Sequence, residues 1–316
     1  MKIAMITPVP SQSRQGNRVT ALRWASILRG LGHRVTITQQ YDEKPADLMV
    51  ALHARRSFSS IQSFHQQYPL HPLIVALTGT DLYGDIHTDD HARQSLQLAS
   101  RLIILQPRGL DELAPALHAK TRVIHQSVAR PKYSVTKSKR TFDICVLGHL
   151  RGVKDPFRAA KAARLLPSDS RIRVVHVGKA LDHQMTIVAQ REQASNPRYH
   201  WLGERPRWQA LRILSRSHAM VLSSRMEGGA NVISEALAAS VPIIASRISS
   251  TIGLLGKDYP GYFEVADTTR LRDLLIRTET EPDFYLQLAN ACAKRAPLID
   301  PARERQAWQR LIEELS

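Results

Sequence analysis

Residues 219–246 read AMVLSSRMEGGANVISEALAASVPIIAS. Ala219 to Leu222 form a short apolar run without charge, as expected of a strand buried on both faces. Glu227 stands at its exit, Gly228 and Gly229 make a turn, Ala230 to Ala239 read as a helix, and Pro242 to Ala245 form the next strand. A strand, a glycine turn and a helix N-terminus make an anion site, because free N–H groups point out of the first helical turn and glycine lets a phosphate approach. Glu235 follows Glu227 with seven residues between them. At 1.5 Å of rise per residue it lies roughly 8 Å below the helix start, so two carboxylates flank the phosphate pocket. That spacing suits a sugar nucleotide.

The same alternation extends outward in both directions. Strands are expected at Lys2 to Thr7, Arg34 to Thr38, Asp47 to Leu52, Leu73 to Leu77, Leu102 to Leu105 and Arg122 to His125. A second series is expected at Phe142 to Leu147, Ile172 to Val177, Tyr199 to Leu202, Ala219 to Leu222, Pro242 to Ala245 and Gly261 to Val265. Amphipathic stretches separate most of them. The first, Asn17 to Leu31, lines up Val19, Leu22, Trp24, Ala25, Ile27, Leu28 and Leu31, and Gly32 stops it. Asp155-Pro156 reads as an N-cap followed by proline at the first helical position. The basic, apolar-poor ARPKYSVTKSKR interrupts the series as a connector would. The fold class is therefore α/β, with two Rossmann-like domains. The expected boundaries are 1–128 for the first domain, 129–140 for a linker, 141–297 for the second domain and 298–316 for a terminal helix that can cross back onto the first domain.

The chain has 316 residues, 43% of them apolar, which excludes a disordered or fibrous protein. Lysine and arginine number 44 against 28 aspartates and glutamates, a formal net charge of +16, so anionic partners are expected. Cys145 and Cys292 fit no disulfide framework or zinc motif, which agrees with a reducing cytoplasm. MKIAMITPVP has neither a signal-peptide core nor the length of a membrane span. Nucleic-acid motifs are absent and aromatics make up only 6%, leaving few stacking platforms. No D-x-D pair occurs, so neither a metal nor another cofactor is expected.

The EGGANVISEALA segment, with its E-x7-E pair, resembles the GT-B-fold glycosyltransferases of the large retaining family 4. The resemblance takes in the Thr7 to Asn17 loop, GHLRGVKDP, HVGKA around Gly178 and WLGERP around Gly203. It implies the GT-B architecture, two Rossmann-like domains facing across a cleft, with the donor held by the second. It places Glu227 on the donor sugar and Glu235 on the ribose, with Glu204 and Arg205 beside the base. Gly228, Gly229, Ala230 and Asn231 complete the donor site. Lys154 and Arg151 would meet the charge growing on the departing diphosphate. The family usually carries arginine where this chain has His149; a neutral imidazole donates one hydrogen bond where arginine offers a fork.

Taken together, GNRVTALRWASILRGLGH, VALHARRS, VALTGTDLYGDIHTD, VLGHLRGVKDPFRAA, SSRMEGGANVISEALA and GLLGKDYPGYFEVADT resemble the selenosugar synthases of selenoneine biosynthesis. That resemblance implies a hexosyltransferase joining selenophosphate to the sugar of a UDP-sugar, UDP-N-acetylglucosamine first among them, with a carbon–selenium bond formed. Gly16, Asn17, Arg18, His53, Arg55 and Thr80 would bind the anionic acceptor, and Asp81 would join the catalytic group. A peripheral-membrane glycosyltransferase with a lipid-linked or saccharide hydroxyl acceptor is the alternative, although a membrane partner is not expected.

Other features have structural readings. Gly30 to His33 follows a helix, the wrong order for a dinucleotide fingerprint, and reads as a helix stop. His87 and His91 flank two aspartates at a surface helix start. His53 and Asp81 fall just past strand ends, as ligand contacts or as buried, satisfied polar groups. The Trp24 stripe reads as core, with its arginines on the wet face.

Overall fold

The computed structural model describes residues 1–12, 16–131 and 135–315. Residues 13–15 of the expected first-domain loop, 132–134 of the expected linker and Ser316 lie outside them. Two compact units are present, one comprising Met1–Ser127 with Asp300–Ser316 and the other Val128–Ile299.

The first unit holds a parallel sheet of β1 (Lys2–Ile6), β2 (Arg34–Thr38), β3 (Leu48–Leu52), β4 (Leu73–Leu77), β5 (Arg101–Ile104) and β6 (Thr121–Val123), in the order β2-β1-β3-β4-β5-β6. Apolar runs form these strands because both faces are covered. On β4, Leu73, Val75 and Leu77 enter one core layer while Ile74 and Ala76 enter the other. The helix Gly16–Gly30 buries Ala21, Trp24, Ala25 and Leu28 on the second face. Leu22 departs from the expected stripe: it is 49% exposed, because its position faces away from that side of the helix.

The helix Pro301–Glu313 shares this layer, with Trp308 and Trp24 edge to face at 5.0 Å between ring centroids. Glu304 is sunk beside them. Its carboxylate accepts from Trp24 Nε1 at 2.7 Å, Ser127 N at 2.9 Å, Ser127 Oγ and Arg23 Nε. A carboxylate without exposed side-chain surface survives in such a place because every lone pair has a donor.

The second unit repeats the architecture with β7 (Phe142–Leu147), β8 (Ile172–Val177), β9 (Tyr199–Trp201), β10 (Ala219–Leu222), β11 (Ile243–Ser246) and β12 (Tyr262–Phe263), in the order β12-β11-β10-β7-β8-β9. Asp155-Pro156 does not start a helix here. Asp155 takes a left-handed conformation with φ +44° after a 3₁₀ turn at Gly152–Lys154, and the helix begins at Arg158. The Asp155 carboxylate instead holds Arg158 at 2.8 Å.

The loops after β7 and β8 approach backbone to backbone. A Cβ on Gly178 would collide with the Gly148 carbonyl, so only glycine fits. His176, buried on β8, donates from Nε2 to that carbonyl at 3.1 Å and accepts from the Tyr199 hydroxyl at 2.9 Å. Burial holds its imidazole down at about 4, hence neutral, as this relay requires.

Two substitutions test these anchors. Glu304→Ala removes the ion pair to Arg23 and the acceptor of three buried donors, Trp24 Nε1, Ser127 N and Ser127 Oγ, and should cost about 3–5 kcal/mol in urea unfolding followed by tryptophan fluorescence. Gly178→Ala should cost about 1–3 kcal/mol in the same unfolding experiment, because the Gly148 turn must be displaced to admit the methyl group.

Candidate functional site

In the second unit the expected donor residues gather at the carboxyl ends of β10, β7, β8 and β9, which are neighbours in that sheet. Ser223 Oγ donates to the carbonyls of Lys154 at 3.2 Å and Asp155 at 2.8 Å, and Arg225 N donates to Val153 O at 2.8 Å. These bonds tie the loop after β10 to the 3₁₀ turn after β7. They bring Lys154 Nζ into an ion pair with Glu227, whose Oε1 also accepts from Ser224 Oγ at 2.6 Å. The Glu227 side chain is 9% exposed and that of Lys154 28%.

Gly228 and Gly229 are buried, and Ala230 caps the helix Asn231–Ala238 in the left-handed region at φ +30°. A Cβ-bearing residue there stores strain of about 1–2 kcal/mol, held by the Ile233 N to Ala230 O bond at 2.7 Å. The helix therefore starts one residue later than Ala230. Glu235, one turn on, is 12% exposed and meets Arg207, whose Nη2 lies 2.9 Å and Nε 3.3 Å from its Oε1.

His149 follows Gly148 in this chain of loops. Lys179 N donates to its Nδ1 at 3.0 Å, which leaves the ring proton on Nε2. Burial pushes the imidazole below its ordinary value; Glu204 opposes the shift, and Lys154, Arg151 and Lys179 add to it. The expected departure from arginine is therefore a neutral single donor. Gly178 N donates to Gly203 O at 2.9 Å and Trp201 Nε1 to Gly178 O at 2.8 Å, so the Gly203 loop with exposed Glu204 and Arg205 joins the same frame.

The first unit gathers a second set. Gly16, Asn17 and Arg18 open the helix after β1, where Arg18 Nε is buried without a hydrogen-bond partner among the described residues. His53 follows β3 in a left-handed conformation at φ +76°, 3.3 Å from Thr80 Oγ1 and 3.7 Å from Asp85 Oδ2. Arg55 Nε lies 3.1 Å from the same Asp85 oxygen. Asp81, expected in the catalytic group, lies in the same set of loops. Fully buried in a π-helical turn at Asp81–Asp85, its carboxylate accepts from Thr78 N at 3.0 Å, Gly79 N at 2.8 Å and Ala54 N at 3.1 Å. Three amides on one carboxylate make it the brace between the loops after β3 and β4.

Sequence reasoning missed Ser224, Arg207, His176 and Asp85. Ser224, three residues before Glu227, was legible as a neighbour of the motif; Arg207 is 28 positions from its partner and carries no local signal.

Residues 131–297, just over half of the chain, match the family model for glycosyl transferases group 1. The chain is 23% identical to a glycosyltransferase 1 domain-containing protein 1 from Xenopus tropicalis, over 95% of each chain. Among solved structures it is similar to Anabaena HepE in complex with UDP-glucose, with a TM-score of 0.78 at 15% identity over the whole of both chains. It is also similar to sucrose-phosphate synthase from Thermosynechococcus elongatus, with a TM-score of 0.77 at 14% identity, covering 99% of this chain and 98% of that one. At these identities the structural likeness establishes the fold, the GT-B architecture of two Rossmann-like domains. No helix among the described residues is long and apolar enough to cross a membrane. With its second unit matched almost from end to end, the chain belongs to the group 1 glycosyl transferases.

Proposed function

We propose that this glycosyltransferase transfers the sugar of a UDP-activated donor, UDP-N-acetylglucosamine first, to selenophosphate, giving a selenosugar and UDP on the route to selenoneine. The observation that carries the donor half is the Lys154–Glu227 pair beside the Gly228-Gly229 turn. A carboxylate and a cation meet there at the start of a helix, where a sugar and a diphosphate need opposite charges side by side. The UDP-glucose complex of HepE, a protein of the same fold, supports a uridine-linked donor.

In the reaction, the bond from the anomeric carbon to the diphosphate oxygen breaks and its electron pair leaves with UDP. Lys154, Arg151 and the helix N-terminus after Gly229 meet that charge. A selenium lone pair forms the new carbon–selenium bond, and water then cleaves the selenium–phosphorus bond, releasing phosphate. Selenophosphate is already a strong nucleophile and needs no general base. Of the first-unit carboxylates expected near the acceptor, Asp81 is bonded by three backbone amides and so is poorly placed to act as a base. The six segment resemblances support the same acceptor.

One observation favours a second reading, transfer to a hydroxyl. Burial holds His53 below its ordinary value and so neutral, despite Asp81 and Asp85 beside it, and a neutral imidazole next to a carboxylate can act as a general base.

Mass spectrometry of products from UDP-sugars offered selenophosphate, thiophosphate and sugar or lipid hydroxyls separates the two. Selenophosphate should give a product with the selenium isotope pattern, and Arg55→Ala should raise KM for it more than KM for the donor. Efficient transfer to a hydroxyl with only slow donor hydrolysis in selenophosphate supports the second reading instead. His149→Arg tests the neutral donor. The permanent charge should tighten UDP-N-acetylglucosamine binding about tenfold at pH 7.5 by calorimetry. The gain should narrow as pH falls, because wild-type His149, with its lowered value, acquires its own proton only in acid.

A further inference from the structure

We propose that Arg207 is the positioning residue that holds the ribose-facing carboxylate of Glu235 and thereby sets selectivity for a ribonucleotide donor over a deoxyribonucleotide one. This rests on the reading that Glu235 meets the ribose.

Glu235 lies on the helix Asn231–Ala238 with 12% of its side chain exposed, so its carboxylate draws on protein partners as well as on water. Arg207 places both Nε and Nη2 on one carboxylate oxygen, Oε1. Two N–H groups of a planar, permanently protonated guanidinium converging on one oxygen fix where that oxygen lies and keep a positive charge beside it. An ionised carboxylate is a pure acceptor, which is what two vicinal ribose hydroxyls require as donors.

Arg207 is itself well placed to act as a fixed support. It is the first residue of the helix Arg207–Arg216, and the preceding Pro206, at φ −51°, stiffens the chain leading into it. The Gly203–Arg205 loop just upstream is anchored through the Gly178 N to Gly203 O bond. The carboxylate is thus oriented by the element expected to lie beside the base, so base and ribose recognition share one support.

A site built to bond a hydroxyl rejects an analogue lacking it, since the acceptor is then left unpaired. Removing Arg207 should therefore weaken binding of the ribonucleotide and leave the 2′-deoxyribonucleotide nearly untouched. Lysine keeps the charge without the fork, and should restore part of the loss.

The test is calorimetric titration of the full chain with UDP and with 2′-deoxyuridine diphosphate, in the wild type, Arg207→Ala, Arg207→Lys, Glu235→Ala and the double variant. The wild type should prefer UDP and Glu235→Ala should abolish the preference. Arg207→Ala should lose about tenfold or more in UDP affinity with deoxyribonucleotide affinity retained, and the double variant should be no worse than Glu235→Ala. The retained deoxyribonucleotide affinity reports an intact fold. Equal losses for both ligands, no change, or tighter UDP binding in Arg207→Ala would overturn the proposal alone, provided Glu235→Ala has lost the preference. A Glu235→Ala variant that keeps the preference overturns the ribose reading as well.

Discussion

The second unit depends on two backbones passing without side chains between them. Because Gly178 carries no Cβ, the loops after β7 and β8 touch, and the Gly148 carbonyl is bonded by His176. Lys179 N then reaches His149, Leu150 N reaches Lys179 O at 2.9 Å, and Gly178 N reaches Gly203 O. Three loops from adjacent strands become one surface. On the other side of β7, Ser223 and Arg225 bind the turn that carries Lys154. A rigid sheet therefore exports its order into loops, which would otherwise be the most mobile parts of such a fold.

Acidic groups in the two units are satisfied in different ways, and the difference separates scaffold from site. Asp81 is closed by three backbone amides, and Glu304 by an indole, a backbone amide, a hydroxyl and one guanidinium. Backbone amides cannot swing away as a long side chain can, so those carboxylates are committed to the fold. Glu227 and Glu235 are held mainly by Lys154 and Arg207, long side chains whose charged ends are partly in water. A single-point partner such as Lys154 can exchange its carboxylate for a ligand as its head moves, whereas the two-pronged contact from Arg207 keeps hold of Glu235. Buried charge alone would not have distinguished the two classes.

The strands were legible because parallel strands covered on both faces must be continuous apolar runs. Leu73–Leu77, Phe142–Leu147, Ile172–Val177 and Ala219–Leu222 stand where the sequence places them, residue for residue. The E-x7-E pair and the glycine turn were legible for a related reason: their spacing is local to one strand–turn–helix unit, whereas Lys154, in the turn after β7, was picked out by the family resemblance. What the sequence concealed acts through space. Asp155-Pro156 has the composition of a helix start, yet the ion pair to Arg158 and the hydrogen bond from Ser223 to the Asp155 carbonyl hold it in a left-handed turn. Arg207 finds Glu235, and Asp81 finds Ala54 N, only once the strands are in register.

His149 shows how that register changes chemistry as well as geometry. A histidine beside a phosphate site is ordinarily read as a cation in waiting. Here Lys179 N already donates to Nδ1, so protonation would place two N–H groups head to head and break the bond that fixes the loop. Burial and the three cations around the ring act in the same direction, and only Glu204 opposes them. On the proposed function the loop's rigidity and the imidazole's neutrality are thus one property, and the permanent charge facing the diphosphate must come from Lys154 and Arg151. Lys154 is shared with Glu227 until phosphate oxygens compete for it. On that reading the charge that the leaving group needs is stored in the free enzyme as the Lys154–Glu227 ion pair, to become available where and when the diphosphate develops its own negative charge.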